Sequence, residues 1–278
     1  AGSCSKTARS SNSSASAGIF AASPPVPPPL RMPTDTTTQI VLAGEIAVMA
    51  AGLLALWRCH LRKSARTPAA LARWQVELAD FAMLLALAFG GAVVAAITCS
   101  MVLKTLSLSE ASQQVLAGAF FQLGMLGGCL GFALFHPAGR SYGRARWGFI
   151  GAGFAAFLIS VPLLSLTGVV WLALLDWLHV PYERQSLVDL FANAESRWQL
   201  GALLALATVV APITEELVFR AGIFGFLHKR VPRWLALLMP AVLFGLSHTN
   251  LASFPQLVLL GVIFSIAYER TGNIAVPM

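Results

Sequence analysis

From Trp234 to Tyr268 the chain runs 35 residues without an Asp, Glu, Lys or Arg. Four more windows are equally free of charge: Phe81–Leu103, Ala111–Phe135, Trp147–Leu175 and Trp198–Thr214. A sixth, Ile40–Trp57, holds only Glu45. An apolar stretch of about 20 residues is what a helix needs to cross a bilayer. The whole chain is 57% hydrophobic and 11% charged, with a mean hydropathy of +0.73. A soluble domain carries about 25% charged residues, and a chain this poor in charge could not cover its own surface. The pattern excludes a soluble enzyme, a disordered protein and a nucleic-acid-binding domain. The net charge of +7 implies no nucleic-acid partner, because the cations sit in short loops between apolar runs. The reading is an all-α, polytopic transmembrane helical bundle with membrane lipids around it.

Residues 1–38 differ from the rest, being rich in Ser, Ala and Pro and without helical or strand period. They read as a disordered N-terminal segment, with Met32 as a candidate true start. Residues 39–146 read as a three-span extension and 147–278 as the core. Pro240 and Pro255 split the longest run into two helices meeting near 249–254. The count is then seven complete spans plus a truncated eighth beginning at Ile274. The loops 58–73, 136–146 and 228–233 carry eleven Lys and Arg residues, whereas the alternate connections carry Lys104, Arg184 and Arg197 among four acids. By the positive-inside rule the basic loops are cytoplasmic, which suits a multi-pass protein of a bacterial inner membrane. Cys4, Cys59, Cys99 and Cys129 show no metal-like spacing and read as small packing residues. Gly127-Gly128 and Gly151/Gly153 read as close-approach patches between helices.

An ionisable side chain at bilayer depth is costly and is a functional signal by default. Asp80 and Asp176 lie near span ends, and Glu45 reads as a snorkelling or helix-packing residue. His60, His136, His179 and His228 lie in or beside loops, where a solvated role is expected. One cluster remains: Thr214-Glu215-Glu216-Leu217-Val218-Phe219-Arg220, followed by His248. On an α-helix Glu216 and Arg220 are i, i+4 neighbours and can pair. Glu215 is turned about 100° away, with Phe219 rather than a cation one turn on. It is therefore the carboxylate left available as a general base. Glu215 precedes the loop centre near Val231 by 16 residues and His248 follows it by 17. Antiparallel helices would bring both to similar depth, where they could activate a water with or without a metal.

Glu215-Glu216-x-x-x-Arg220 followed by Phe244-x-x-x-His248 resembles the CPBP family of intramembrane proteases. That family includes the type II CAAX prenyl endopeptidases and the bacteriocin-processing (Abi) proteins. Ala211-Pro212-Ile213-Thr214, Phe219-Arg220-Ala221-Gly222 and Tyr268-Glu269-Arg270-Thr271-Gly272-Asn273 fit the same pattern. The resemblance spans residues 150–278. It implies a peptide hydrolase acting on a protein or peptide substrate near the cytoplasmic face. Glu215 would be the base, His248 a holder of the water or of a metal, and Glu216 and Arg220 a supporting pair. A divalent ion such as zinc on Glu215 and His248 is one option, and water activated by the carboxylate alone is the other. The family's third motif, a His followed four positions later by Asn, would fall just past Met278.

Two other readings fit the same charges. One is a proton-coupled transporter with Glu215, Glu216, Arg220 and His248 as a relay. The other is a scaffold that keeps the fold without the chemistry.

Overall fold

The computed structural model describes residues 36–58, 71, 74–136, 149–183, 190–192, 194 and 196–278. The Ser- and Pro-rich N-terminal segment, the start at Met32, Cys4 and Cys59, and most of the loops 58–73 and 136–146 lie outside the described residues. The chain divides into Ala1–Val41 and Leu42–Met278. The described part of the first unit is the opening of one helix, and the account below concerns the second.

The elements are α1 (Thr36–Leu56), α2 (Leu78–Leu103), α3 (Glu110–Phe135), α4 (Phe149–Trp177), α5 (Arg197–Leu227), α6 (Arg233–Ser247) and α7 (Phe254–Thr271). No strand occurs among the described residues. Ser109 and Ser196 cap α3 and α5, each accepting from the backbone N–H three residues on, as N-cap serines do. Gly272, at φ 61°, closes α7 in the left-handed conformation that glycine adopts without a Cβ penalty.

Helices α1 to α5 are long and apolar enough to cross a membrane, and their outer faces expose Val94, Leu134, Phe135, Val169 and Trp177. Apolar surface on that scale belongs against lipid. The protein is an integral, multi-pass membrane protein. The structure supports five spans where the sequence suggests seven and the start of an eighth. Helix α6 has 15 residues, short of a full crossing. It stops where Asn250 folds the chain into a turn, accepting from Ser253 N and Ser253 Oγ at 3.0 and 2.8 Å. Trp171 Nε1 of α4 donates to Leu251 O of that turn at 2.8 Å. Helix α7 has 18 residues and carries Glu269 and Arg270 in its last turn, and residues 274–277 form a turn.

Helices α2 and α3 touch backbone to backbone. A Cβ on Gly91 would lie 2.8 Å from Gly124 O, and one on Gly128 would strike Leu87 O. Gly127 and Gly151 meet nothing, so within each glycine pair only one member makes the close approach, Gly153 facing Val276 O. In α4, Pro162 has no N–H to give Leu158 O, and Gly52 of α1 packs against that carbonyl and the proline ring. The α2–α3 pair shares its core with α5 and α6: Leu84, Ala88, Met125, Cys129 and Phe132 pack with Val218, Phe219, Ile223 and Phe244.

Polar contacts tie the α5–α6 connection to residues 71–76. Arg230 donates to Trp74 O, Val76 O and Phe226 O at 2.9, 2.6 and 2.6 Å. Arg233 donates to both Glu269 oxygens, Nη2 reaching Oε2 at 2.7 Å. Leu71 N donates to Glu269 O at 3.1 Å. His228 departs from the solvated role expected of it, because the chain folds back over it. It is 5% exposed, with Nε2 3.2 Å from Leu71 O and Nδ1 3.8 Å from Glu269.

Three outcomes are expected. Gly128→Ala lowers the apparent Tm of the detergent-solubilised protein, because the methyl group meets backbone that cannot yield. Gly127→Ala leaves Tm unchanged or slightly higher through helix propensity. Burial holds the His228 pKa below its ordinary value, so the unfolded chain binds the extra proton first as pH falls. The stability from neutral His228 is complete above the unfolded pKa of about 6.5. It is lost as pH drops through the lower folded value. Melting curves between pH 8 and roughly pH 5 are expected to fall more steeply in wild type than in His228→Gln, which keeps a donor for Leu71 O.

Candidate active site

Helix α5 is not a uniform α-helix. Leu206–Val210 and Glu216–Phe224 are π-helical, with five α-helical residues, Ala211–Glu215, between them. Pro212 supplies a local cause for the first. It has no N–H for Thr208 O, and its ring crowds that carbonyl, so the turn before it widens. π-Turns are rare and recur at functional sites.

The second π segment alters which side chains meet. Its hydrogen bonds run from i to i+5, so Arg220 comes round to Glu215 as well as Glu216. Arg220 Nη1 lies 2.9 Å from Glu216 Oε1, with both side chains almost fully buried. It also acts electrostatically on Glu215. Phe219 remains the residue one α-turn on from Glu215, and the wider π turn adds the field of Arg220. The guanidinium also stacks on Phe244, 4.5 Å from the ring centre, and approaches Phe264 at 5.4 Å. Aromatic faces offset part of the cost of burying a cation. Glu216 Oε2 and Arg220 Nη2 have no hydrogen-bond partner, so charge and packing hold the pair.

His248 stands at the C-terminal end of α6. Helix α6 rises about 22 Å at 1.5 Å per residue, which returns its end to the level of Glu215 on antiparallel α5. The two side chains interact electrostatically. His248 Nδ1 is 2.9 Å from Phe244 O. A carbonyl only accepts, so Nδ1 carries the hydrogen, and in the neutral ring Nε2 keeps its lone pair. The His248 ring sits edge-on to Phe244 at 4.8 Å, and Phe244 edge-on to Phe219 at 5.3 Å. One aromatic residue therefore backs both the histidine and the arginine. Glu215 and His248 are partly exposed, whereas Glu216 and Arg220 are buried. All four expected side chains share one neighbourhood.

No group of three or more His, Cys, Asp or Glu side chains that could hold a metal ion occurs among the described residues. A catalytic zinc site takes three protein ligands and a water, and Glu215 with His248 supplies two. The described donors do not complete such a set. Two apolar cavities, about 360 and about 400 Å³, lie elsewhere, beside α4, α7 and the turn at Val276.

Residues 197–278 match the family model Rce1-like, described as type II CAAX prenyl endopeptidase. The match takes in α5, α6, α7 and the terminal turn, including Glu215, Glu216, Arg220 and His248. It begins later than the resemblance read from sequence, leaving α4 outside it. The chain matches no curated protein and no solved structure.

Sequence reasoning missed Gln122. This α3 residue accepts a hydrogen bond from Thr214 Oγ1, which brings its amide beside Glu215. The only sequence signal was an amide deep within an apolar run.

Removing one member of a buried ion pair leaves an uncompensated charge, at a cost of about 3–5 kcal/mol. Arg220→Met is therefore expected to destabilise the protein by that order in denaturant-induced unfolding in detergent. Adding Glu216→Gln to it is expected to recover much of the loss, since the double variant buries no charge.

Proposed function

We propose that this protein is an intramembrane endopeptidase that hydrolyses peptide bonds of a protein or peptide substrate near the cytoplasmic face of a bacterial inner membrane. The observation that carries the reading is the electrostatic proximity of the partly exposed Glu215 carboxylate to the His248 ring, whose Nδ1 is committed to Phe244 O. A carboxylate oxygen and His248 Nε2 are then two acceptors to which a single water between them would donate. Glu215 takes a proton from the water as its oxygen attacks the carbonyl carbon. The proton then passes to the departing amine as the tetrahedral intermediate collapses. Arg220 and Glu216 sit behind the base and fix its electrostatic surroundings. The match of residues 197–278 to a prenyl endopeptidase family supports this chemistry over a transport relay.

If an ion takes part, Glu215 and His248 are the donors this chain offers it.

The test uses membranes holding the full-length protein, supplied with prenylated and unprenylated forms of one quenched fluorogenic peptide. Glu215→Gln and His248→Ala are each expected to lower the cleavage rate by about 10²-fold or more. Cleavage unchanged in both variants would overturn the assignment. A chelator with metal add-back, read on the same peptide, separates a metal-bound water from one activated by carboxylate alone.

A further inference from the structure

The match to known peptidases begins at Arg197, yet the neighbourhood of Glu215 does not close without α3. Helices α3 and α5 meet through two polar contacts. Gln199 Nε2 donates to Ser112 Oγ at 2.9 Å, and both residues are buried. Ten residues further along α3, Gln122 meets Thr214 and Glu215. Both contacts advance in the same sense along the two helices, so α3 runs parallel to α5 beside the site.

The chemistry of the partners fixes how the Gln122 amide is turned. A carboxylate only accepts hydrogen bonds, so the amide nitrogen faces Glu215 and the amide oxygen faces Thr214. Thr214 is fully buried, and its hydroxyl also lies 3.1 Å from Val210 O and 3.0 Å from Ala211 O. It has one proton for three acceptors. Given to Gln122, that proton ties the short α-helical segment between the two π stretches to α3. Gln122 stands on a helix that cannot easily shift, because Gly124 and Gly128 lock α3 onto the α2 backbone.

We propose that Gln122 is the positioning residue for Glu215: its amide holds the carboxylate from α3, with Thr214 fixing the amide's orientation. The proposal rests on Glu215 being the base. Without the amide the carboxylate is free to rotate toward Arg220, which already attracts it, and away from the water it shares with His248. Helix α3, held by α2, thereby becomes part of the active site rather than an accessory to it.

The test compares full-length wild type, Gln122→Leu, Gln122→Glu and Thr214→Val in the quenched-peptide assay, with folding followed by size-exclusion profile. Gln122→Leu removes both contacts. Gln122→Glu keeps the length and an acceptor for Thr214 but, when ionised, offers no donor to Glu215. Both are expected to lower kcat by about 10- to 100-fold with KM little changed, as loss of a supporting hydrogen bond to a reacting group does. Thr214→Val is expected to fall between these and wild type. If Gln122→Leu does not fold, Gln122→Glu carries the comparison. Unchanged kcat in a folded Gln122 variant overturns the proposal, and so does a loss confined to KM. A second readout is independent of turnover. The infrared carboxyl band of Glu215, isolated by subtracting the Glu215→Gln spectrum, is expected to move in Gln122→Leu. A band that stays in place overturns the positioning role, whereas a wild type that cleaves no peptide while the band moves overturns only the endopeptidase reading.

Discussion

The Glu216–Arg220 pair is the contact around which the rest of the core is arranged. Two charges taken out of water cost several kcal/mol each, and the structure surrounds them with what offsets that cost. Arg220 has a carboxylate on one side and the Phe244 ring on another. Phe244 belongs to α6, Phe264 to α7 and the pair itself to α5, so burying one cation draws three helices together. The same Phe244 lends its carbonyl to His248, which fixes the imidazole relative to the arginine. The buried pair is thus the anchor, and Glu215 and His248, the two partly exposed side chains beside it, are the groups to which the proposed chemistry falls.

That division depends on the π stretch. In an α-helix Glu215 would share its face with Phe219, and Arg220 would serve Glu216 alone. Widening the turn brings Arg220 round to both carboxylates, so the candidate base stands in the field of a cation it does not directly pair with. A lone carboxylate in an apolar setting would be too costly, and a tightly paired one would be unavailable. Gln122 adds a neutral restraint on the same group. A neutral amide can orient a carboxylate while adding no net charge to the membrane interior.

The bundle outside the matched segment supplies stiffness. Glycines along α2 and α3 bring the two backbones into contact, and their shared face runs on into the core formed with α5 and α6. At the α5–α6 connection, Arg230, Arg233, His228 and Glu269 bind that short loop to Leu71, Trp74 and Val76. The cations that sequence counting assigns to orientation therefore also have a local task, since Arg230 is bonded to three carbonyl groups rather than left in solvent.

The sequence alone determined that this chain is a helical membrane protein and that Glu215, Glu216, Arg220 and His248 stand apart. The physical reason is that charge against an apolar background is a local signal: each such residue is costly where it stands, whatever surrounds it. Helix ends at Ser109, Ser196 and Gly272 are set just as locally, since caps act within one turn. Only the tertiary structure decided that α6 stops at Ser247, that His228 is buried, that Arg220 serves two carboxylates and that Gln122 reaches Glu215. These depend on a π register that a 3.6-residue period does not encode and on which helix faces which. An amide in an apolar run looks the same wherever its neighbours lie, and only packing gives it a partner.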